Sequence, residues 1–324
     1  MTQDADVPQP IAVAYGAHPS QYFEVHRPAA VGPHPVVVLI HGGFWRLPWD
    51  RTLMRPLAQD LVGRGYAAVN VEYRRLGEDG GGWPGTCMDV AAALRRLGES
   101  AGRPGAVVDD AAAEDGLPSR PGAVVDDAAA GDGLPEGLGS SLDLDSVALV
   151  GHSAGGHLAL WAAHHTDLDV RLVVSQAGVA DLRAAVRDRL DEGNGKPPAA
   201  LEFMGIPAAE AAAASETGAA EDVAGPETDS ASAVGAADLA YRLASPIELL
   251  PLGPDVRQLV LHGDVDNRVP RQQSLDYAQT AQLAGDDVRL AGFTGMGHFE
   301  LIDPAHESWQ LTLAELAALP RPPR

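Results

Sequence analysis

A chain of 324 residues, 45% of them hydrophobic, is long enough for one large α/β domain with a sizeable core. Its formal charge of −22, with 45 acidic against 23 basic residues, lacks the clustered cations that nucleic acid and anionic lipid require. Cys87 is the only cysteine, which excludes an intrachain disulfide and a zinc–thiolate cluster; with no run of about 18 apolar residues to span a membrane, a cytoplasmic protein is expected.

Short β-branched runs predict strands at 35–40, 67–73, 146–151, 170–175, 258–263 and 288–293. Helical patterns lie between and after them at 51–64, 85–98, 155–165, 270–284 and 305–318. Cys87 falls on the second of these, after Pro84, and reads as a packed residue. Near-continuous apolar strands alternating with amphipathic helices predict a mainly parallel sheet covered on both faces, formed by a single domain over 1–324. In such sheets active sites form at the carboxyl ends of the strands.

Two low-complexity acidic insertions interrupt the alternation. The first, about 99–141, carries a tandem repeat with a 17-residue period: RPGAVVDDAAAEDGLP from Arg103 and RPGAVVDDAAAGDGLP from Arg120. Two polar copies cannot stack into a core of their own, so a duplicated surface loop is expected. The second, 206–238, is rich in Ala, Glu, Ser, Thr and Gly and has almost no large apolar residue, so little burial is expected of it. Segments 99–145 and 202–238 hold most of the negative charge, which therefore does not describe a binding face.

GHSAG at 151–155 matches G-x-S-x-G, directly after the strand SVALV and directly before the helical pattern AGGHLALWAAHH. That context presents Ser153 as a nucleophile on a strained strand-to-helix turn. A serine hydroxyl needs a base within hydrogen-bonding distance. His298, in the Gly-rich loop after strand 288–293, is the histidine that topology brings to the same edge of the sheet. His152 is expected to point away from Ser153, and His262 to bond locally. His164 and His165 lack the carboxylate spacing of a metal pair, so no metal is expected. LVLHGDVDNRVP offers two carboxylates to orient the base, Asp264 and Asp266, of which Asp266 is preferred. HGGFW at 41–45 follows the strand PVVVLI, where backbone N–H groups of Gly43 and Phe44, with that of Ala154, are candidate oxyanion donors.

Taken together, HGGFW, GHSAGGHLA, HGDVDNRVP and GHFELID resemble the kynurenine formamidase (arylformamidase) and related carboxylesterase branch of the α/β-hydrolases, from about Val36 to Asp303 apart from the insertions. The resemblance implies an α/β-hydrolase fold and a cofactor-free serine hydrolase acting on a small-molecule ester or amide. It also implies Gly43 and Phe44 as oxyanion donors and, through the branch's H-G-x-x-D pattern, Asp266 as the third triad member. EYRR with WPGT (72–75 and 83–86) is similar to the branch's next loop. Phe44 stands where hormone-sensitive-lipase relatives usually carry a third glycine. HGDVDNRVP is also similar to prolyl oligopeptidase catalytic domains, which makes a peptidase an alternative, and a non-catalytic receptor on the same fold is another. Trp45, Trp83 and Phe299, with Phe44 and Trp49, lie near loops at the catalytic edge and are candidate pocket residues, and Phe203 and Met204 are expected to approach the pocket.

Overall fold

The structure is a computed structural model that describes residues 8–100, 137–191, 193, 196–211 and 229–320. The tandem repeat and residues 212–228 of the second insertion lie outside the described residues.

Among the described residues the sheet has eight strands, in the order β1-β2-β4-β3-β5-β6-β7-β8. They are β1 (Ile11–Ala14), β2 (Tyr22–His26), β3 (His34–Ile40), β4 (Ala67–Val71), β5 (Leu142–His152), β6 (Val170–Gln176), β7 (Arg257–Gly263) and β8 (Val288–Phe293). From β4 through β8 every neighbouring pair is parallel, whereas β1 and β2 add an antiparallel edge. The six expected strands are β3 to β8. The antiparallel pair lies outside the sequence expectation, because β1 and β2 are short and one of them carries Glu24 and His26.

The strands read as apolar runs because both faces are covered. Val36, Val38 and Ile40 of β3 join one core cluster and Val37 and Leu39 the other, following the two-residue period of a strand. The first cluster packs under α2 (Gly85–Ser100), α3 (Ala154–Ala163) and α7 (Arg271–Ala284). The second packs under α1 (Arg55–Gly63) and α8 (Glu307–Ala317). Cys87 is fully buried on α2 and free of any disulfide, and burial pushes its thiol well up from the ordinary value. Helix α2 ends, and β5 begins, at the amino-terminal edge of the parallel strands, opposite Ser153.

Three helices between β6 and β7 also go beyond the sequence expectation: α4 (Leu182–Arg187), α5 (Ala199–Met204) and α6 (Asp229–Ala244). Within 206–238 few described side chains are buried, Ala211 and Ala237 among them, and α6 runs past that segment to Ala244. Ala237, Tyr241 and Ala244, spaced at i, i+4 and i+7, form a buried stripe, and Asp238 accepts a 2.7 Å bond from Arg183. Two alanines and Tyr241 supply this stripe, and Tyr241 and Ala244 lie beyond residue 238. The last carbonyls of a helix have no intrahelical donor. Here Trp161 Nε1 donates to Leu243 O at 2.9 Å and His157 Nε2 to Ala244 O at 2.9 Å, so two side chains of α3 close the end of α6.

His157 also accepts from Trp45 Nε1 at 3.3 Å, so its two partners together require the neutral ring. Burial pushes this imidazole down to about 4. Burial, followed by the neighbouring His165, also takes His164 to about 4. Between those values and the roughly 6.5 of an unfolded histidine, the unfolded chain binds more protons than the native one, so stability falls as pH falls. Each ring should contribute a slope of about 1.4 kcal/mol per pH unit across that window. Urea midpoints between pH 7 and pH 5 should therefore drop steeply, and His157→Gln should flatten the dependence.

Candidate active site

Ser153 joins the end of β5 to the start of α3 with φ 57° and ψ −120°, a backbone conformation that costs a non-glycine residue energy. The turn is held because the Ser153 N–H donates to Gln176 O at 2.8 Å and α3 starts at once. Gly155 is required for close approach: a β-carbon there would run into the carbonyl oxygens of Ile40 and His41. Strands β3 and β5 can therefore bring HGGFW and GHSAG against each other. Ser153 is 1% exposed, and its hydroxyl has no hydrogen-bond partner among the described residues.

The loops after β7 and β8 bring Asp266 and His298 together. Asp266 Oδ2 accepts from His298 Nδ1 at 2.6 Å, while Oδ1 accepts from the N–H groups of Arg268 at 2.7 Å and Val269 at 3.0 Å. Burial raises this carboxyl, but the His298 hydrogen bond, the imidazole charge and the two backbone donors outweigh it and hold it below its ordinary value. Asp266 is thus kept ionised facing the ring. Asp264 instead accepts the Gly295 N–H at 2.7 Å and is exposed. His262 bonds Ser274 Oγ at 2.7 Å and Val269 O at 3.0 Å, the local arrangement expected of it.

The segment after β3 takes an unusual path, with positive φ at Gly43 (110°), Phe44 (53°) and Trp45 (56°). At Gly43 a β-carbon would also collide with the Trp49 side chain. The backbone N–H groups of Gly43, Phe44 and Ala154 have no acceptor among the described residues. His41 stacks on Tyr73, with ring centroids 4.2 Å apart, and reaches Glu72 Oε1 at 3.0 Å.

The candidate pocket residues separate. Trp45 is 0% exposed, stacked on Phe203 at 4.4 Å and bonded to His157, so it belongs to the packing and presents no open wall. Phe203 and Met204 are buried with it. Trp83 is half-buried, edge-on to Trp161, and its main-chain N–H donates to Phe203 O at 2.8 Å. Phe299 remains 43% exposed beside His298, with Trp49 6.1 Å away. Among the described residues no group of His, Cys, Asp and Glu is arranged to hold a metal ion, and no helix is long and apolar enough to cross a membrane.

Two side chains beneath this site lie outside the candidates read from the sequence. Arg46, 7% exposed, donates to Glu202 Oε2 at 2.7 Å, Asp191 Oδ2 at 2.7 Å and Pro197 O at 2.8 Å, tying the glycine turn to α5 and the chain before it. Glu72, 2% exposed, meets His41, Arg75 at 3.3 Å and the Arg51 N–H at 3.1 Å. The sequence signal for Arg46 is adjacency to HGGFW, and for Glu72 its place at the start of EYRR.

A family model described as BD-FAE, an α/β-hydrolase family, matches residues 24–103. No curated protein matches the chain. Among solved structures, the chain is similar to a bifunctional GH43-CE protein of Bacteroides eggerthii, with TM-score 0.64 and 18% identity over 95% of this chain and 35% of that one. This chain therefore spans about a third of that protein's length. It is also similar to esterase B of Lactobacillus Rhamnosis (HN001), with TM-score 0.62 and 20% identity over 95% of this chain and 84% of that one. A third similar structure is Thermogutta terrifontis esterase 2 phosphonylated by sarin, with TM-score 0.56 and 17% identity over 98% of this chain and 95% of that one. The fold is the α/β-hydrolase fold, and these structural neighbours are esterases.

Charge-assisted hydrogen bonds such as those of Arg46 are each worth about 1.5–3 kcal/mol. Arg46→Met should therefore raise amide hydrogen exchange across 196–204 about tenfold or more, while β3 to β6 keep their protection. Unchanged exchange in that stretch would show that apolar packing alone holds it.

Proposed function

We propose that the chain is a serine hydrolase that cleaves a carboxylic ester or amide through an acyl-enzyme. The observation that carries this reading is the buried 2.6 Å bond between Asp266 and His298, set at the same sheet edge as the strained Ser153. In this reading Ser153 Oγ attacks the substrate carbonyl as His298 Nε2 takes its proton. Asp266 fixes the ring with Nδ1–H toward itself and stabilises the cation. The backbone N–H groups of Gly43, Phe44 and Ala154 receive the oxyanion. His298 then protonates the leaving group, and water, activated by the same ring, releases the acid and restores the serine. The Ser153 hydroxyl is unbonded in this structure, and such contacts commonly tighten only with substrate bound.

For the substrate, an aryl amide of formic acid, with N-formylkynurenine as the single best candidate, follows from the motif resemblance. The exposed Phe299 beside His298 supports an aromatic leaving group. A neighbour described as a carbohydrate esterase makes acetylated sugars the second class to test. A cytoplasmic setting goes with a single buried, unpaired cysteine.

A fluorophosphonate probe should label the wild-type protein at Ser153, and Ser153→Ala should abolish labelling and lower kcat by about 10⁴–10⁶ with the fold unchanged. Asp266→Asn should be crippling and Asp264→Asn mild, and the opposite ranking would reassign the orienting carboxylate. Wild-type protein that does not label would favour a binding role for the fold. Initial rates on N-formylkynurenine, short p-nitrophenyl esters and acetylated sugars should separate the classes, the formyl amide giving the highest kcat/KM.

A further inference from the structure

Two buried side chains at the carboxyl ends of β5 and β6 have no part in the chemistry described above. His152, 1% exposed, has its ring centroid 4.5 Å from that of His298, and its Nε2–H donates to the main-chain oxygen of His298 at 3.0 Å. Gln176, 0% exposed, donates its Nε2–H to the main-chain oxygen of Leu301 at 2.7 Å. The main-chain carbonyl of Gln176 accepts the Ser153 N–H at 2.8 Å, so this one residue touches both the serine turn and the histidine loop. Each side chain leaves its other polar atom, His152 Nδ1 and Gln176 Oε1, buried and without a partner among the described residues. Burying a polar atom unpaired costs stability, and apolar residues of similar size would avoid that cost. The donors therefore need a compensating role, and both bonds end on the stretch that carries His298.

We infer that His152 and Gln176 are positioning residues that clamp the main chain of 298–301 to the strands beside Ser153, so that the imidazole is held from its backbone as well as from Asp266. This rests on the hydrolase reading above only in calling the held ring a base. Without the clamp, Asp266 still fixes the rotation of the ring, but the loop that sets its distance from Ser153 is tethered at one side only. The neutral form of His152 suits this role, because burial, then the neighbouring His298, push its ring down to about 3 and the clamp does not titrate across the working range.

The test compares His152→Ala, His152→Gln and Gln176→Met by steady-state kinetics, thermal unfolding and the far-downfield proton resonance of the Asp266–His298 bond. Loss of the clamp misplaces a reacting group by a fraction of an ångström or more, so His152→Ala should lower kcat about 100-fold while KM stays within about threefold. His152→Gln, whose amide nitrogen reaches the place of Nε2, should recover most of that loss. Gln176→Met should fall between the two. The downfield resonance should move or broaden in His152→Ala and return in His152→Gln. The inference is overturned if His152→Ala keeps wild-type kcat, or if the alanine and glutamine variants lose activity equally with the resonance unmoved. Should His152→Ala fail to fold, the glutamine and Gln176→Met variants still carry the comparison. Wild-type protein with neither turnover nor probe labelling would remove the hydrolase reading, while the resonance would still decide whether His152 holds the loop.

Discussion

Parallel strand pairing means that β3, β5, β7 and β8 all deliver their carboxyl ends to one side of the sheet, and everything chemically suggestive in this chain depends on that alignment. The glycine turn leaves β3, Ser153 leaves β5, Asp266 follows β7 and His298 follows β8. Residues far apart in the chain become neighbours because the strands share a direction and a register, with Ile40 opposite Gly151 and Gly263 opposite Phe293. A one-residue slip would exchange the side chains packed under the two helical layers, so close packing on both sides protects the geometry of the site as well as the core.

The site is built in layers of decreasing visibility. Ser153 sits in a distinctive local context, a strand, a forced turn, then a helix, whereas Asp266 and His298 lie in loops after β7 and β8. The parallel strands are legible for a similar reason, since β-branched runs buried on both faces leave little ambiguity. The carboxylate is a narrower choice, because Asp264 and Asp266 share a loop and only the fold separates them. The backbone donors to Asp266 come from Arg268 and Val269, two and three residues on, which marks Asp266 as the member of the pair that the loop curls around.

What the sequence does not show is mostly tertiary. Arg46, Glu72, His152 and Gln176 acquire their meaning largely from partners such as Glu202, His41, His298 and Leu301, which lie far away in the chain. Trp45 reads as a pocket residue because it follows the glycine turn at the catalytic edge. Its positive φ instead turns the indole inward, against Phe203 and His157. Helix α6 is hidden because its buried stripe sets a single large residue, Tyr241, between two alanines, and the edge strands β1 and β2 because their polar residues break the apolar runs that mark the central strands.

Helix α2 ends and β5 begins on the far side of the sheet from Ser153, with 41 residues, 101–141, between them. Doubling the length of a loop costs only about 0.6 kcal/mol of closure entropy, so a duplication of the kind written in 103–135 can be absorbed there at little cost. The stretch between residues 100 and 137 is consequently the natural port for engineering, where a reporter domain or affinity tag can be spliced into the chain between ends that lie across the sheet from Ser153.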